Sequence, residues 1–269
     1  MTRISFSEFV RTTHALRAAS IGAVIVGVYS LIPIWKESSA FHQIADHSSG
    51  VYASLELLLG LLLVLRSNAA YGRWWEGRTL WGKLVNVSRN LVLKANSLVD
   101  VSREDRVALE SLVHQFAADL RDQLRTHADG SSPAEEPHRP SDRVLQIYRL
   151  LNDWRQRGLV SDDLLRVLDS ELREFLEVCG GCERIQKTPL SPSYRIFIWQ
   201  GIFLVFATLP WSLASEMGIW SVPTVMIHAY FFIGVQVLAH SAEDPFGTDS
   251  DDLNLDAIVA TIGRARVTA

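Results

Sequence analysis

Few residues in this chain have the type and spacing that chemistry requires. Cys179 and Cys182 are separated by two glycines, which gives the Cys-x-x-Cys spacing of redox and zinc sites. A tetrahedral zinc site needs about four ligands, and the chain has 2 cysteines and no second pair. We therefore predict that both cysteines serve helix packing, and that the protein has no metal site and no cofactor.

A group of carboxylates near the carboxyl end is the second candidate. Asp249, Asp251 and Asp252 are close enough in sequence to collect a hard cation. Acidic residues at a helix start are also favoured by the helix dipole. Taken alone, the residues favour the helix start, with Ser250 or Asp251 as the N-cap.

Two further classes of function are disfavoured by the sequence. No nucleophile–base pair and no phosphate-binding loop can be identified, so we predict that the protein is not an enzyme. The 26 basic and 30 acidic residues give a formal charge of −4. Because nucleic-acid binding needs a broad basic surface, we predict no nucleic-acid partner.

The uneven distribution of charge indicates a membrane protein. Residues 18–35, 196–215 and 217–242 contain no charged side chain, and residues 48–65 contain only Glu56. About 20 mostly apolar residues are enough to cross the hydrocarbon core as a helix. The sequence therefore predicts four transmembrane helices, the first of them retained rather than cleaved as a signal peptide.

The basic residues predict the orientation of these helices. Lysine and arginine are frequent before the first run, after the second and before the third, and are absent between the third and fourth. The positive-inside rule then places both termini and the long middle segment in the cytoplasm. Trp35, Trp211 and Trp220 fall at the opposite interface, where aromatic belts lie.

The remaining elements are predicted to be helical. Apolar residues recur every three or four positions within 109–124, 144–154 and 164–176, whereas residues 127–142 are rich in glycine, serine and proline and predict a loop. We expect an all-α membrane protein with these segments: a cytoplasmic N-terminal segment (1–17), transmembrane helices 1 and 2 (18–66), a cytoplasmic helical region (67–195), transmembrane helices 3 and 4 (196–242) and an acidic cytoplasmic C-terminal segment (243–269).

Four motifs resemble the bestrophin family, in particular its bacterial branch. The longest is Arg-Ser-Asn-Ala-Ala-Tyr-Gly-Arg-Trp-Trp-Glu-Gly-Arg at 66–78. The others are Leu-Ile-Pro-Ile-Trp at 31–35, Cys-Glu-Arg-Ile at 182–185 with Thr-Pro at 188–189, and Glu-Asp-Pro-Phe-Gly at 243–247. Their order and spacing cover essentially the whole chain.

This resemblance implies a homopentameric ion channel in the bacterial inner membrane, with monovalent ions, membrane lipid and further copies of the chain as partners. Its pore runs along the five-fold axis through an apolar neck, which the spacing from the Arg-Trp-Trp motif places at Leu57, Leu61 and Leu65. Rings of leucine in a narrow tube can gate by dewetting. Residues 57–65 are almost all leucine, so lipid-facing or bundle-packing roles remain alternatives.

The resemblance also implies a second, cytoplasmic constriction and, in eukaryotic members, a calcium clasp. Counting through the helix places the constriction at Leu164, with Leu165 as the rival and core packing as an equal alternative. Asp249 and Asp252 match clasp positions, but Thr248 replaces an acidic residue. We therefore predict a vestigial clasp without functional calcium binding.

The charge of the permeating ion is the property that the sequence predicts least sharply. The acidic C-terminal segment and the net charge give a slight lean towards cations, with a chloride channel as the alternative. A secondary transporter is the alternative from another class, although no internal repeat is visible. A membrane-embedded enzyme is disfavoured, because the predicted spans offer few polar groups, chiefly Glu56, His228 and scattered hydroxyls; a non-conducting scaffold stays an alternative.

Overall fold

A computed structural model describes residues 6–37, 39, 49–128, 139–249 and 251–264. Every regular element within these ranges is a helix, which confirms the all-α prediction. In chain order the elements are α1 (Phe6–Tyr29), α2 (Leu31–Glu37), α3 (Ser49–Leu98), α4 (Arg103–Ala128), α5 (Pro140–Gln156), α6 (Asp162–Lys187), α7 (Pro192–Met217), a 3-10 turn (Gly218–Trp220), α8 (Ser221–Glu243) and α9 (Leu255–Arg264).

The chain divides into two compact units, which we describe separately. The first unit comprises Met1–Gly72, Leu190–Glu243 and Asp249–Asp251, and the second comprises Arg73–Pro189, Asp244–Thr248 and Asp252–Ala269. The 50-residue helix α3 supplies residues to both units and has no break near position 66.

Within the described ranges, the helical stretches Leu16–Glu37, Tyr52–Leu98 and Pro192–Glu243 are long and apolar enough to cross a bilayer. The last of these contains both α7 and α8, which are separated at Gly218. Gly218 has a φ of 55°, a left-handed conformation that glycine adopts without steric cost. The described part of the chain therefore contains helices that could span a membrane, and the number of four spans stays a prediction.

Close helix approach in the first unit depends on small residues, as is usual in membranes. Helix α1 packs against α8. A Cβ atom added at Gly22 would lie 2.6 Å from Ile233 Cδ1, so only glycine fits there without a shift of that side chain. On the facing helix, Gly234 lies next to Ala19.

The second unit is a helical bundle in which α4 packs against α5, α6 and α9. Its core includes five fully buried aromatic side chains among the described residues: Trp81, Phe116, Trp154, Phe175 and Phe246. The rings of Phe116 and Phe175 meet edge to face with centroids 5.0 Å apart. The three helices predicted from apolar periodicity are confirmed as α4, α5 and α6.

Two predicted boundaries differ from the structure. The predicted loop 127–142 is shorter, because α4 extends to Ala128 and α5 begins at Pro140; residues 129–138 lie outside the described residues. The C-terminal helix begins at Leu255, and the side chain of Asn254 accepts a hydrogen bond from the backbone N–H of Ala257 at 3.0 Å. The predicted N-cap was therefore wrong: Asn254 caps the helix, Asp251 lies in a turn before it, and Ser250 lies outside the described residues.

Candidate functional site

The three predicted neck residues lie on the exposed side of α3. Leu57, Leu61 and Leu65 are 76%, 57% and 53% exposed in the single chain. Leu59 and Leu63, on the opposite side, are each 4% exposed and pack in the first unit. The exposed face also includes Leu58 and Val64, at 54% and 55%. A contiguous exposed apolar face of this kind is typical of a surface that contacts a membrane or another protein.

A buried ionic network lies directly after this leucine face. Arg66 follows Leu65, and its side chain is 1% exposed. Its Nη2 donates to Oε2 of Glu243, at the end of α8, over 3.3 Å. The other carboxylate oxygen of Glu243 accepts a hydrogen bond from the backbone N–H of Leu190 at 3.1 Å. One carboxylate therefore connects α3 with the end of α8 and with the segment that precedes α7.

A second contact holds the same turn of α3. The hydroxyl of Tyr194, in the first turn of α7, donates to the backbone carbonyl of Leu62 over 3.0 Å. Leu62 and Arg66 are four residues apart and therefore share a helix face. Sequence reasoning noted Arg66 and Glu243 as parts of separate motifs but did not pair them, because no local pattern connects residues 177 positions apart.

Two further titratable residues lie on helices of the first unit. Glu56 is partly buried, and among the described residues its Oε1 has no hydrogen-bond partner. His228, on α8, contacts the backbone carbonyl of Thr224 through Nδ1 at 2.8 Å, an arrangement that favours a proton on Nδ1. Glu56 is one residue before Leu57, about 100° around α3, and His228 lies on a different helix.

The Arg-Trp-Trp segment begins the second unit, where it secures the end of α6. Arg73 donates to the backbone carbonyls of Thr188 and Ile185 over 2.5 and 2.6 Å. Because carbonyls at a helix C-terminus have no intrahelical partner, a guanidinium there satisfies them and also interacts favourably with the helix dipole. Glu76 of α3 also forms a salt bridge with Arg184 of α6, with 2.5 Å between Oε1 and Nη2.

The two candidates for the second constriction lie in the first turn of α6 and are each partly exposed. Leu164 and its rival Leu165 are half-buried and pack against the core of the second unit. The neighbouring Val167 is the more exposed apolar side chain, at 41%. Leu164 lies at the start of α6, where the Ser161 hydroxyl accepts a hydrogen bond from its backbone N–H.

The candidate clasp segment follows a turn anchored in the second unit. Phe246 is fully buried, and a Cβ atom at Gly77 would lie 3.1 Å from its ring. The backbone N–H of Leu253 donates to the carbonyl of Pro245 over 3.0 Å, which closes the segment. Asp249 is exposed and Asp252 is half-buried. In the part of the chain that the structure describes, no three metal-ligating side chains converge.

The two cysteines lie inside the second unit as free thiols. Burial, with Glu183 close by, raises the pKa of the Cys179 thiol to about 12. Burial also raises the pKa of the Cys182 thiol, whose side chain has no exposed surface. Both sulfurs therefore stay protonated near neutral pH, the form in which a thiol is neither a nucleophile nor a metal ligand.

Comparison with known proteins finds a matching family and similar sequences. The model of the bacterial/fungal bestrophin protein family matches residues 9–267. A voltage-dependent anion channel-forming protein of Mesorhizobium japonicum is 37% identical over 220 residues, covering 74% of this chain and 68% of the relative. The protein of that description from Salmonella typhi is 32% identical over 225 residues, covering 78% and 73%.

Solved structures are similar over nearly the whole chain. The crystal structure of a bacterial bestrophin homologue from Klebsiella pneumoniae superposes with a TM-score of 0.83 at 26% identity, covering 91% of this chain and 96% of that one. A second crystal structure, described as a membrane protein, gives a TM-score of 0.84 at 26% identity and covers 92% and 96%.

Proposed function

Because this chain belongs to the bacterial/fungal bestrophin family, we propose that five copies form a passive channel for monovalent anions, with Leu57, Leu61 and Leu65 lining its neck. Membership of the family makes the chain a membrane ion-channel protein and not an enzyme. We further propose that the channel lies in a bacterial inner membrane with both termini in the cytoplasm. The pentamer, the neck and the ion are proposals in the same sense.

The exposed face of α3 is the observation that carries this proposal. Leucines at 57, 61 and 65 are mostly exposed in the single chain, whereas Leu59 and Leu63 are buried. A helix that presents an apolar face after its own packing is complete needs a further partner. Five such faces around an axis would form three stacked leucine rings, which can close the pathway by dewetting.

Anions are favoured by the described relatives, and two carboxylates of the acidic C-terminal segment are already paired with arginines. Asp256 binds both Arg121 and Arg125, and Glu243 binds Arg66. The acidic C-terminal segment therefore supplies less free negative charge than its composition suggests, and the sequence-based lean towards cations is not supported. The relatives described as anion channel-forming proteins favour the same sign.

We also propose the membrane topology and the cytoplasmic features that the sequence predicts. Four helices span the membrane at 18–66 and 196–242, and the region 67–195 forms a cytoplasmic vestibule. A second constriction lies near the start of α6 at Leu164, and calcium does not control the channel through Asp249 and Asp252.

Recording from the purified protein in planar bilayers under a KCl gradient tests the proposed function. We expect a current that reverses near the chloride equilibrium potential and does not saturate as a coupled carrier would. A current that reverses near the potassium equilibrium potential would show that the channel passes cations and would overturn the proposed anion selectivity. Flux that saturates and depends on a second ion would instead support a secondary transporter. Native mass spectrometry of the same sample should give five chains, and a monomer or dimer would contradict the pore.

A further inference from the structure

Three elements of the first unit meet at one carboxylate next to the exposed leucine face. Glu243 accepts from Arg66 Nη2 at 3.3 Å and from the Leu190 backbone N–H at 3.1 Å. His240, one turn earlier on α8, has its Nδ1 3.7 Å from the Oε2 atom that binds Arg66. Glu243 is thus the shared partner of α3, of the turn before α7 and of its own helix.

The chemistry of this network is poorly suited to stabilisation alone. Arg66 is 1% exposed, and within the described residues neither its Nε nor its Nη1 has a hydrogen-bond partner. The cost of removing two charges from water can exceed what a pair with incomplete hydrogen bonding recovers, and apolar residues of similar volume often serve stability equally well. Hydrogen bonds differ from apolar contacts in being directional, so this pair specifies geometry.

The geometry that the pair specifies is the rotation of α3. Arg66 is adjacent to Leu65, so holding its side chain against Glu243 also fixes the direction in which Leu65 points. The Tyr194 hydroxyl donates a hydrogen bond to the backbone carbonyl of Leu62, which lies on the same face of α3. This contact restrains the rotation of α3 a second time, one turn away from Arg66. A rotation of about 100°, one residue position, would move Leu65 out of the exposed face.

We propose that Glu243 is a positioning residue for the neck, which through Arg66 holds α3 in the rotation that exposes Leu57, Leu61 and Leu65. This inference rests on the proposed function for its consequence in conduction. Its structural part, the rotation of α3, can be measured without any current.

The test compares removal of the whole pair with removal of a matched pair elsewhere. The double variant Arg66→Met/Glu243→Leu removes both charges and keeps side-chain volume, so it avoids the isolated buried charge that a single substitution would leave. The control is Arg143→Met/Asp119→Leu, which deletes a partly buried ion pair of the second unit between α5 and α4, with 2.7 Å between Nε and Oδ2. Thermal unfolding establishes that both double variants fold.

The first readout is the rate at which a methanethiosulfonate reagent labels Leu65→Cys and Leu63→Cys in folded protein. The native thiols, buried and protonated, give a low background. We expect the ratio of the two rates to fall by about three-fold or more in the Arg66→Met/Glu243→Leu background, the range expected for coupling through one contact. The control background should leave the ratio unchanged.

The second readout is single-channel conductance and open probability in bilayers. We expect both to change in Arg66→Met/Glu243→Leu, to be partly restored in the charge swap Arg66→Glu/Glu243→Arg, and to match the wild type in the control pair. An unchanged labelling ratio in the folded double variant overturns the inference. A changed ratio in a protein whose wild type carries no current supports the positioning role and contradicts the proposed function instead.

Discussion

Leu63 and Leu65 lie two residues apart on α3, yet 4% of Leu63 and 53% of Leu65 is exposed. The two side chains are about 200° apart around the helix axis. Two side chains of the same type therefore have different surroundings. Leu63 packs inside the first unit, whereas Leu65 faces outward.

Alanine at these two positions is expected to affect different properties. Leu63→Ala leaves a cavity in the first unit and should lower the free energy of unfolding by about 2–5 kcal/mol, with little change in conductance. Leu65→Ala should change stability by less than about 1 kcal/mol and raise single-channel conductance and open probability, because it widens an apolar ring. Thermal unfolding in detergent and bilayer recording measure the two effects. An unchanged current from Leu65→Ala would contradict the neck.

The helix cap made by Arg73 gives a prediction about stability. Arg73→Ala removes a charged donor from the carbonyls of Ile185 and Thr188, and should lower the free energy of unfolding by about 1–3 kcal/mol. Arg78→Ala, which truncates an exposed arginine of the same segment, is the control and should stay within about 0.5 kcal/mol. Equal melting temperatures for the two variants would show that the cap contributes nothing.

The pairing of Asp256 predicts a pH dependence of stability. Hydrogen bonding from Arg125, with the nearby charge of Arg121, lowers the pKa of Asp256 from its ordinary value of 3.8. Because the folded state has the lower pKa, the contribution of Asp256 is fully present above pH of about 4 and is lost as the pH falls further.

Melting temperatures of the wild type and Asp256→Asn should therefore differ at pH 7 and converge below a pH of about 4. The difference should be small and should shrink in high salt, since the carboxylate is 59% exposed. Asp100→Asn, at an exposed aspartate between α3 and α4, is the control. A difference between wild type and Asp256→Asn that persists unchanged at pH 3 would contradict the assigned cause.

The buried cysteines predict a chemically inert pair. Burial raises the pKa of Cys179 to about 12 and raises that of Cys182, so little thiolate exists at pH 8. Iodoacetamide should modify neither residue in folded protein and both after denaturation, as measured by mass spectrometry. A chelator should leave the melting temperature unchanged. Rapid labelling of the folded protein, or a chelator-induced loss of stability, would point to a reactive or metal-bound pair.

The sequence by itself determined the helical class of the structure and the family. A hydrocarbon core excludes charge, so uncharged runs of 18, 20 and 26 residues indicate membrane helices before any contact is known. Amphipathic periodicity similarly located α4, α5 and α6, because one face of each helix packs in a core.

Only the tertiary structure decided which side chains those helices present. Hydrophobic periodicity fails in 57–65 because leucine occupies nearly every position, so the exposed face is set by what packs behind Leu59 and Leu63. The Arg66–Glu243 pair joins residues 177 positions apart, a separation that no local pattern encodes. Leu164 shows the same limit, because an apolar residue near a helix start looks identical in sequence whatever it contacts, and only the structure shows that its side chain is half-buried.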